Sequence, residues 1–88
     1  MKRKDSYILR QVGGKYVIMP IGDKAFEFSG IININETGAL LWETLAEDVS
    51  MQQLISAMTA EYNIDEQTAE NDINEFISQL SAANLIEK

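Results

Sequence analysis

Asn33-Ile34-Asn35-Glu36-Thr37-Gly38-Ala39-Leu40-Leu41-Trp42 is the stretch at which an extended segment ends and the first strong helix begins. Asn35 is a good N-cap, because its side-chain oxygen can accept one of the free N–H groups of a first helical turn, and Glu36 suits the positive end of a helix. From there Leu41, Trp42 and Leu45 fall on one face at helical spacing, with Gly38 and Val49 close to the same line. Trp42 reads as a core anchor. Gly38 costs a helix about 1 kcal/mol relative to Ala, which is most simply explained if another backbone packs closely against it.

Upstream of this boundary the chain reads as strand and turn. Tyr7-Ile8-Leu9-Arg10-Gln11-Val12 and Lys15-Tyr16-Val17-Ile18-Met19-Pro20-Ile21 are rich in β-formers and are joined by Gly13-Gly14, the signature of a two-residue hairpin. Pro20 lacks an N–H and marks a strand end or edge. A turn at Gly22-Asp23-Lys24 and a connector from Ala25 to Gly30, with Phe26 and Phe28 tucked under the sheet, lead to a third strand, Ile31-Ile32-Asn33-Ile34. Ile32 and Ile34 share one face of that strand. A sheet this small leaves an edge that is either protected or used to pair with another chain.

Downstream the chain reads as helix. Ser50 followed by Gln53 is a capping box, with Val49 and Leu54 placed as a hydrophobic staple, so a second helix starts there and buries Met51, Leu54, Ile55, Met58 and Tyr62. Asn63 suits a left-handed C-terminal residue. Asp65 caps a third helix that buries Ala69, Ile73, Phe76, Ile77 and Leu80, and Asn84 ends it before Leu85-Ile86 folds back on the core. Asp72, Gln79 and Ala83 lie on one flank of that stripe, where a partner could be touched without disturbing the core. The expected fold is α+β, a winged helix-turn-helix of three short N-terminal strands followed by three helices, with residues 1–88 forming one domain.

Composition narrows the chemistry. The chain has no Cys and no His, which removes disulfides, thiolate and imidazole metal sites, Cys nucleophiles and the usual triad base. Its carboxylates fall on exposed helix faces, so acid–base catalysis is not expected. A metal site from Glu61, Asp65, Glu66 and Glu70 lacks calcium-loop spacing, and a solvated helix start explains those residues better. No cofactor is expected. The one Asp-Ser pair, Asp5-Ser6, leads into a strand and not into the helix start that a phosphopantetheine carrier would need. Met1-Lys2-Arg3-Lys4 is not followed by an apolar segment of signal-peptide or membrane-span character, so a cytoplasmic protein with no membrane contact is expected.

Charge is divided along the chain. Residues 1–24 contain Lys2, Arg3, Lys4, Arg10, Lys15 and Lys24 against Asp5 and Asp23, whereas residues 25–87 contain twelve Asp or Glu and no Lys or Arg. A winged-helix regulator would put its third helix in the major groove of DNA. That helix carries Glu66, Glu70, Asp72 and Glu75 with no cation, so it would repel a phosphate backbone along its length. The basic N-terminal region could at most act as a weak nucleic-acid arm. DNA binding is therefore the alternative reading, and a peptide-interaction module the preferred one.

Ile34-Asn35-Glu36-Thr37-Gly38-Ala39-Leu40-Leu41-Trp42, then Tyr62-Asn63-Ile64-Asp65, then Asp72-Ile73 with Phe76-Ile77 and Leu80, ending in Asn84-Leu85-Ile86, resembles the PqqD family. The resemblance implies a recognition domain for ribosomally synthesised, post-translationally modified peptides. Such domains bind the leader of a precursor peptide as a strand added beside their third strand and against their third helix. They present it to a modifying enzyme, often a radical SAM protein, or in lasso-peptide systems to a leader peptidase. On this sequence the implied peptide-binding residues are Ile31, Ile32, Asn33 and Ile34 on the strand and Asp72, Phe76, Gln79 and Ala83 on the helix. Asn84 stands where the family commonly has Gly, and Asn tolerates the left-handed backbone needed there. The acidic third helix suggests a leader with basic residues near it. An unoccupied strand edge can also pair with a copy of itself, which leaves homodimerisation open.

Overall fold

The computed structural model of the chain describes residues 1–21 and 32–87. Its elements are β1 (Lys2–Arg3), β2 (Tyr7–Val12), β3 (Lys15–Pro20), β4 (Ile32–Ile34), α1 (Glu36–Thr44), α2 (Met51–Glu61), α3 (Glu66–Ala82) and β5 (Ile86–Glu87). The three main strands form an antiparallel sheet in the order β2-β3-β4, and the three helices follow in sequence, as a winged helix-turn-helix requires. Ile31, Phe26 and Phe28 lie outside the described residues, so the third strand is described from Ile32.

Local chemistry accounts for each boundary. Gly13 and Gly14 have φ of 57° and 81°, and Val12 pairs with Lys15, so the hairpin closes on two residues that both need positive φ. The Asn35 Oδ1 accepts the Gly38 N–H at 2.8 Å and starts α1. The capping box at α2 is reciprocal: Gln53 N–H donates to Ser50 Oγ at 3.2 Å and Ser50 N–H donates to Gln53 Oε1 at 2.8 Å. Asp65 accepts the Thr68 N–H at 2.7 Å and starts α3.

The helix ends divide into one expected and one unexpected case. After α3, Asn84 has φ 60°, its N–H donates to the Ser81 carbonyl, and the Leu85 N–H donates to the Leu80 carbonyl at 2.9 Å. This is a complete Schellman motif, and its flanking pair Leu80 and Leu85 is fully buried. Asn63, by contrast, is not left-handed. The chain leaves α2 at Tyr62, which is extended (φ −125°, ψ 145°) while its N–H still bonds the Met58 carbonyl. Turning out one residue sooner brings Ile64 back onto the core, against which it is half-buried.

The core is a single cluster. Ile18 from the sheet, Trp42 and Leu45 from the first helix region, Leu54 and Met58 from α2, Ile73 and Leu80 from α3, and Leu85 are each no more than 1% exposed. Trp42 is the core anchor that its spacing implies. Among the described residues no charged or amide side chain is buried.

Two elements go beyond the three-strand, three-helix layout. β1 and β5 form a second, two-stranded antiparallel sheet that pairs Lys2 with Glu87 and Arg3 with Ile86. The basic N-terminal segment is thus a structural clasp and not a free arm. Its backbone is tied by Arg3 N–H to the Leu45 carbonyl, Lys4 N–H to the Leu85 carbonyl and Val49 N–H to the Met1 carbonyl. Its charges are also engaged: Arg3 Nη1 donates to the Trp42 carbonyl at 2.6 Å with its guanidinium 5.2 Å from the Trp42 ring centre, and Lys4 Nζ donates to Asn84 Oδ1 at 2.9 Å. Asn84 therefore supplies both a left-handed backbone and an acceptor that Gly could not. The terminal ammonium of Met1 meets Asp48 at 2.7 Å and, first by that hydrogen bond and then by its charge, holds the Asp48 carboxyl below its usual range.

Two tests follow from these contacts. Arg3→Met keeps the apolar stem but removes the guanidinium contacts, and should lower stability by about 2 kcal/mol in denaturant unfolding. The second test concerns Asp65, whose pKa is lowered by hydrogen bonds from the Thr68 side chain and then its backbone. Because the folded value lies below the unfolded one, the charged cap stabilises fully above the ordinary Asp range and its contribution is lost as pH falls through the lowered value. Asp65→Asn keeps a cap that does not titrate. The stability difference between wild type and this variant should hold at neutral pH and shrink as pH drops below about 4, measured by urea unfolding across that range.

Candidate functional site

The feature that stands out on this fold is an open cleft beside β4. In the order β2-β3-β4 the outer edge of β4 pairs with no described strand, and an edge of that kind can pair with another chain. Facing that edge is the flank of α3. Between them lies a cleft of about 240 Å³ lined by Asn33, Ile34, Asn35, Thr37, Gly38, Leu41, Asp72, Glu75, Phe76 and Gln79.

The elements that build it are set by the β4–α1 boundary. Asn35 ends the strand and caps the helix, and its Oδ1 accepts from both the Gly38 N–H and the Thr37 hydroxyl, each at 2.8 Å. The Asn35 oxygen is thereby occupied, and the residue shapes the cleft without offering a free acceptor. Gly38 forms part of the floor. A Cβ at this position would lie 3.1 Å from Ile34 Cβ, 3.1 Å from Phe76 Cε1 and 3.3 Å from Asn35 Oδ1. The sequence suggests that a second backbone crowds Gly38; the neighbours are in fact side chains, one from β4 and one from α3. The missing Cβ lets the strand and the third helix meet over the first turn of α1.

The structure brings Asn33, Ile34, Asp72, Phe76 and Gln79 together around one cleft. Ile32 lies beyond the lining, on the same strand face as Ile34 and half-buried against the core. Ala83 is the C-cap of α3, four residues past Gln79, and also packs on the core. Ile31 is outside the described residues. Asn35, Thr37, Gly38, Leu41 and Glu75 complete the lining without having been singled out for the site. The position of Glu75 could be found from spacing, since it is three residues after Asp72 and four before Gln79 and so shares their flank.

Electrostatics distinguish this cleft from a nucleic-acid surface. Asp72 and Glu75 are exposed on its rim, and residues 25–87 supply no Lys or Arg to balance them. Beyond the end of β4 a second recess, lined by Gly14, Lys15, Tyr16, Asn33, Ile34 and Asn35, continues the track past the hairpin. Close to this end, burial, then the charge of Glu36 and a hydrogen bond to it, push the Tyr62 phenol above its ordinary value. The carboxylates at the start of α3 do not gather: Asp65 is occupied as a cap, and among the described residues no three His, Cys, Asp or Glu converge on a metal-sized site.

The family model for coenzyme PQQ synthesis protein D (PqqD) matches residues 15–86. The chain belongs to the PqqD family. Two solved structures share the PqqD-like fold. One is TbiB1 in complex with the TbiA(beta) leader peptide, at TM-score 0.76 and 23% identity over 99% of this chain and 95% of that one. The other is lasso peptide synthetase B1 complexed with its leader peptide, at TM-score 0.74 and 20% identity over 99% of this chain and 96% of that one. No curated protein sequence matches this PqqD family member.

The role of Gly38 can be checked directly. Gly38→Ala gains helix propensity worth about 1 kcal/mol but drives a methyl into Ile34 and Phe76, an overpacking that costs about 1–3 kcal/mol. The expected result is a slight net loss of stability, with NMR shift changes centred on Ile34 and Phe76 and none in the Ile8–Met19 part of the hairpin.

Proposed function

We propose that this PqqD family member is a non-catalytic adaptor that captures the leader segment of a ribosomally made precursor peptide and holds it for a separate maturation enzyme. The leader adds as a strand on the outer edge of β4, extending β2-β3-β4, and its side chains on one face enter the cleft against α3. Ile31 to Ile34 supply the pairing backbone, while Asp72, Phe76, Gln79 and Ala83 meet the side chains. One observation carries the reading: the edge of β4 that pairs with no described strand borders a cleft walled by α3, in a fold that two leader-peptide-bound proteins share.

Physical chemistry supports the assignment. A strand edge recognises any extended peptide through its backbone, and the adjoining pockets select among side chains. The cleft offers an apolar floor for binding but no nucleophile–base pair for chemistry, so the reaction belongs to the partner. That partner is a modifying enzyme such as a radical SAM protein, or a leader peptidase, and the encounter takes place in the cytoplasm where the precursor is made. Without a leader the same edge is open to a second copy of the chain, giving a homodimer that the leader would displace. Against duplex DNA the acidic flank of α3 would be repulsive.

The test is a titration of the isotope-labelled protein with the leader of a short precursor encoded beside its gene. Amide shifts should concentrate in Ile32 to Ile34 and from Asp72 to Ala83. N-methylation of the leader one residue at a time should weaken binding at alternate positions only, because alternate N–H groups of an added strand face its partner. Shifts confined to other surfaces, or sensitivity without that period of two, would refute strand addition at β4.

A further inference from the structure

We propose that the cleft selects a cationic side chain of the bound peptide, a Lys or Arg whose stem lies on Phe76 and Leu41 and whose charge sits between Asp72 and Glu75. This rests on the peptide-binding reading above and names the class of side chain that the site takes.

The argument begins with the composition of the cleft. Its floor includes the apolar Phe76 and Leu41, 7% and 1% exposed, together with Gly38. Its rim on the α3 side carries two carboxylates three residues apart, the spacing that places side chains on one flank a single turn from each other. Neither Asp72 nor Glu75 has an ion-pair or hydrogen-bond partner among the described residues. An apolar floor below a doubly negative rim fits a side chain with a long aliphatic stem and a positive head.

Other occupants fit less well. An acidic side chain would add a third negative charge beside two that are already uncompensated. A purely apolar one would cover the floor while moving both carboxylates into a drier environment without a counter-charge, which is unfavourable. The chain cannot supply the cation from its helices, since residues 25–87 hold none. Arg3 and Lys4 are engaged with Trp42 and Asn84 on the clasp, and Lys15 borders the second recess past the end of β4.

The experiment selects a displayed library of random peptides against the full chain, against Asp72→Lys with Glu75→Lys, and against the isosteric pair Asp72→Asn with Glu75→Gln. Both positions changed are on the exposed rim, and circular dichroism verifies folding. The wild-type pool should carry Lys or Arg at a fixed place within a β-rich window, and the charge-reversed pool Asp or Glu at that place. The best wild-type peptide should lose about tenfold in affinity against the isosteric pair, together with most of the salt dependence of its binding. A shared motif without a cation, which shifts the β4 and α3 amides and binds all three proteins equally, overturns the charge inference and leaves the peptide reading intact. Pools whose peptides never move the β4 amides overturn both.

Discussion

The close approach of β4, α1 and α3 at Gly38 is the constraint on which the functional end of this fold depends. With no side chain at that position, Ile34 and Phe76 come within van der Waals reach of the same point on α1. Three residues earlier, Asn35 ends the strand and begins the helix with a single oxygen that serves two donors. The strand edge and the third helix are thereby held at a separation that leaves a cleft. A Cβ would push the two walls apart, and a poorer cap would let the first turn of α1 fray into the floor.

The opposite end of the molecule is fastened by different means. A chain of 88 residues has a limited core, and its N-terminal segment reinforces it by lacing across the α1–α2 loop and the C-terminal strand. Arg3 makes the tightest of these contacts, with its guanidinium on the Trp42 carbonyl and near the ring. Because Trp42 and Leu41 are adjacent in α1, the same helix carries the clasp on one side and the cleft floor on the other. The Met1 ammonium, Arg3 and Lys4 are spent on architecture, and Asp72 and Glu75 at the cleft have no ion-pair partner among the described residues.

Most of the fold was legible because its boundaries are written in local chemistry. Asn35, Ser50 with Gln53, Asp65, Gly13-Gly14 and Asn84 act within a few residues of themselves, and each does what its type implies. What local chemistry does not determine is long-range pairing. Lys2–Arg3 and Ile86–Glu87 are two residues each, too short for any periodicity, and only the folded chain brings them together. Asn63 misled for a related reason: its own tolerance of the left-handed region was overridden by the need to return Ile64 to the core. At the cleft, α3 spacing puts Asp72 and Gln79 on one flank, while Phe76 reads from spacing as core and enters the site only through the family resemblance; the floor at Gly38 and Leu41 depends on how three elements stack, which no single stretch encodes.

A winged helix-turn-helix offers two ways to meet a polymer, through the exposed face of its third helix or through the edge of its sheet. Sign of charge and strand order decide between them here. A phosphate backbone needs cations along the helix, and α3 presents Glu66, Asp72 and Glu75 to solvent instead. The sheet edge has no such requirement, because an extended peptide brings its own N–H and C=O groups to an open strand whatever its sequence. On the proposed reading, the carboxylates that repel a nucleic acid would become the means of discrimination: beside a strand edge that pairs with backbones without preference, they would favour one side chain over another. Under that proposal, affinity would come from the edge and selectivity from the helix, and the two could be altered independently on one small scaffold.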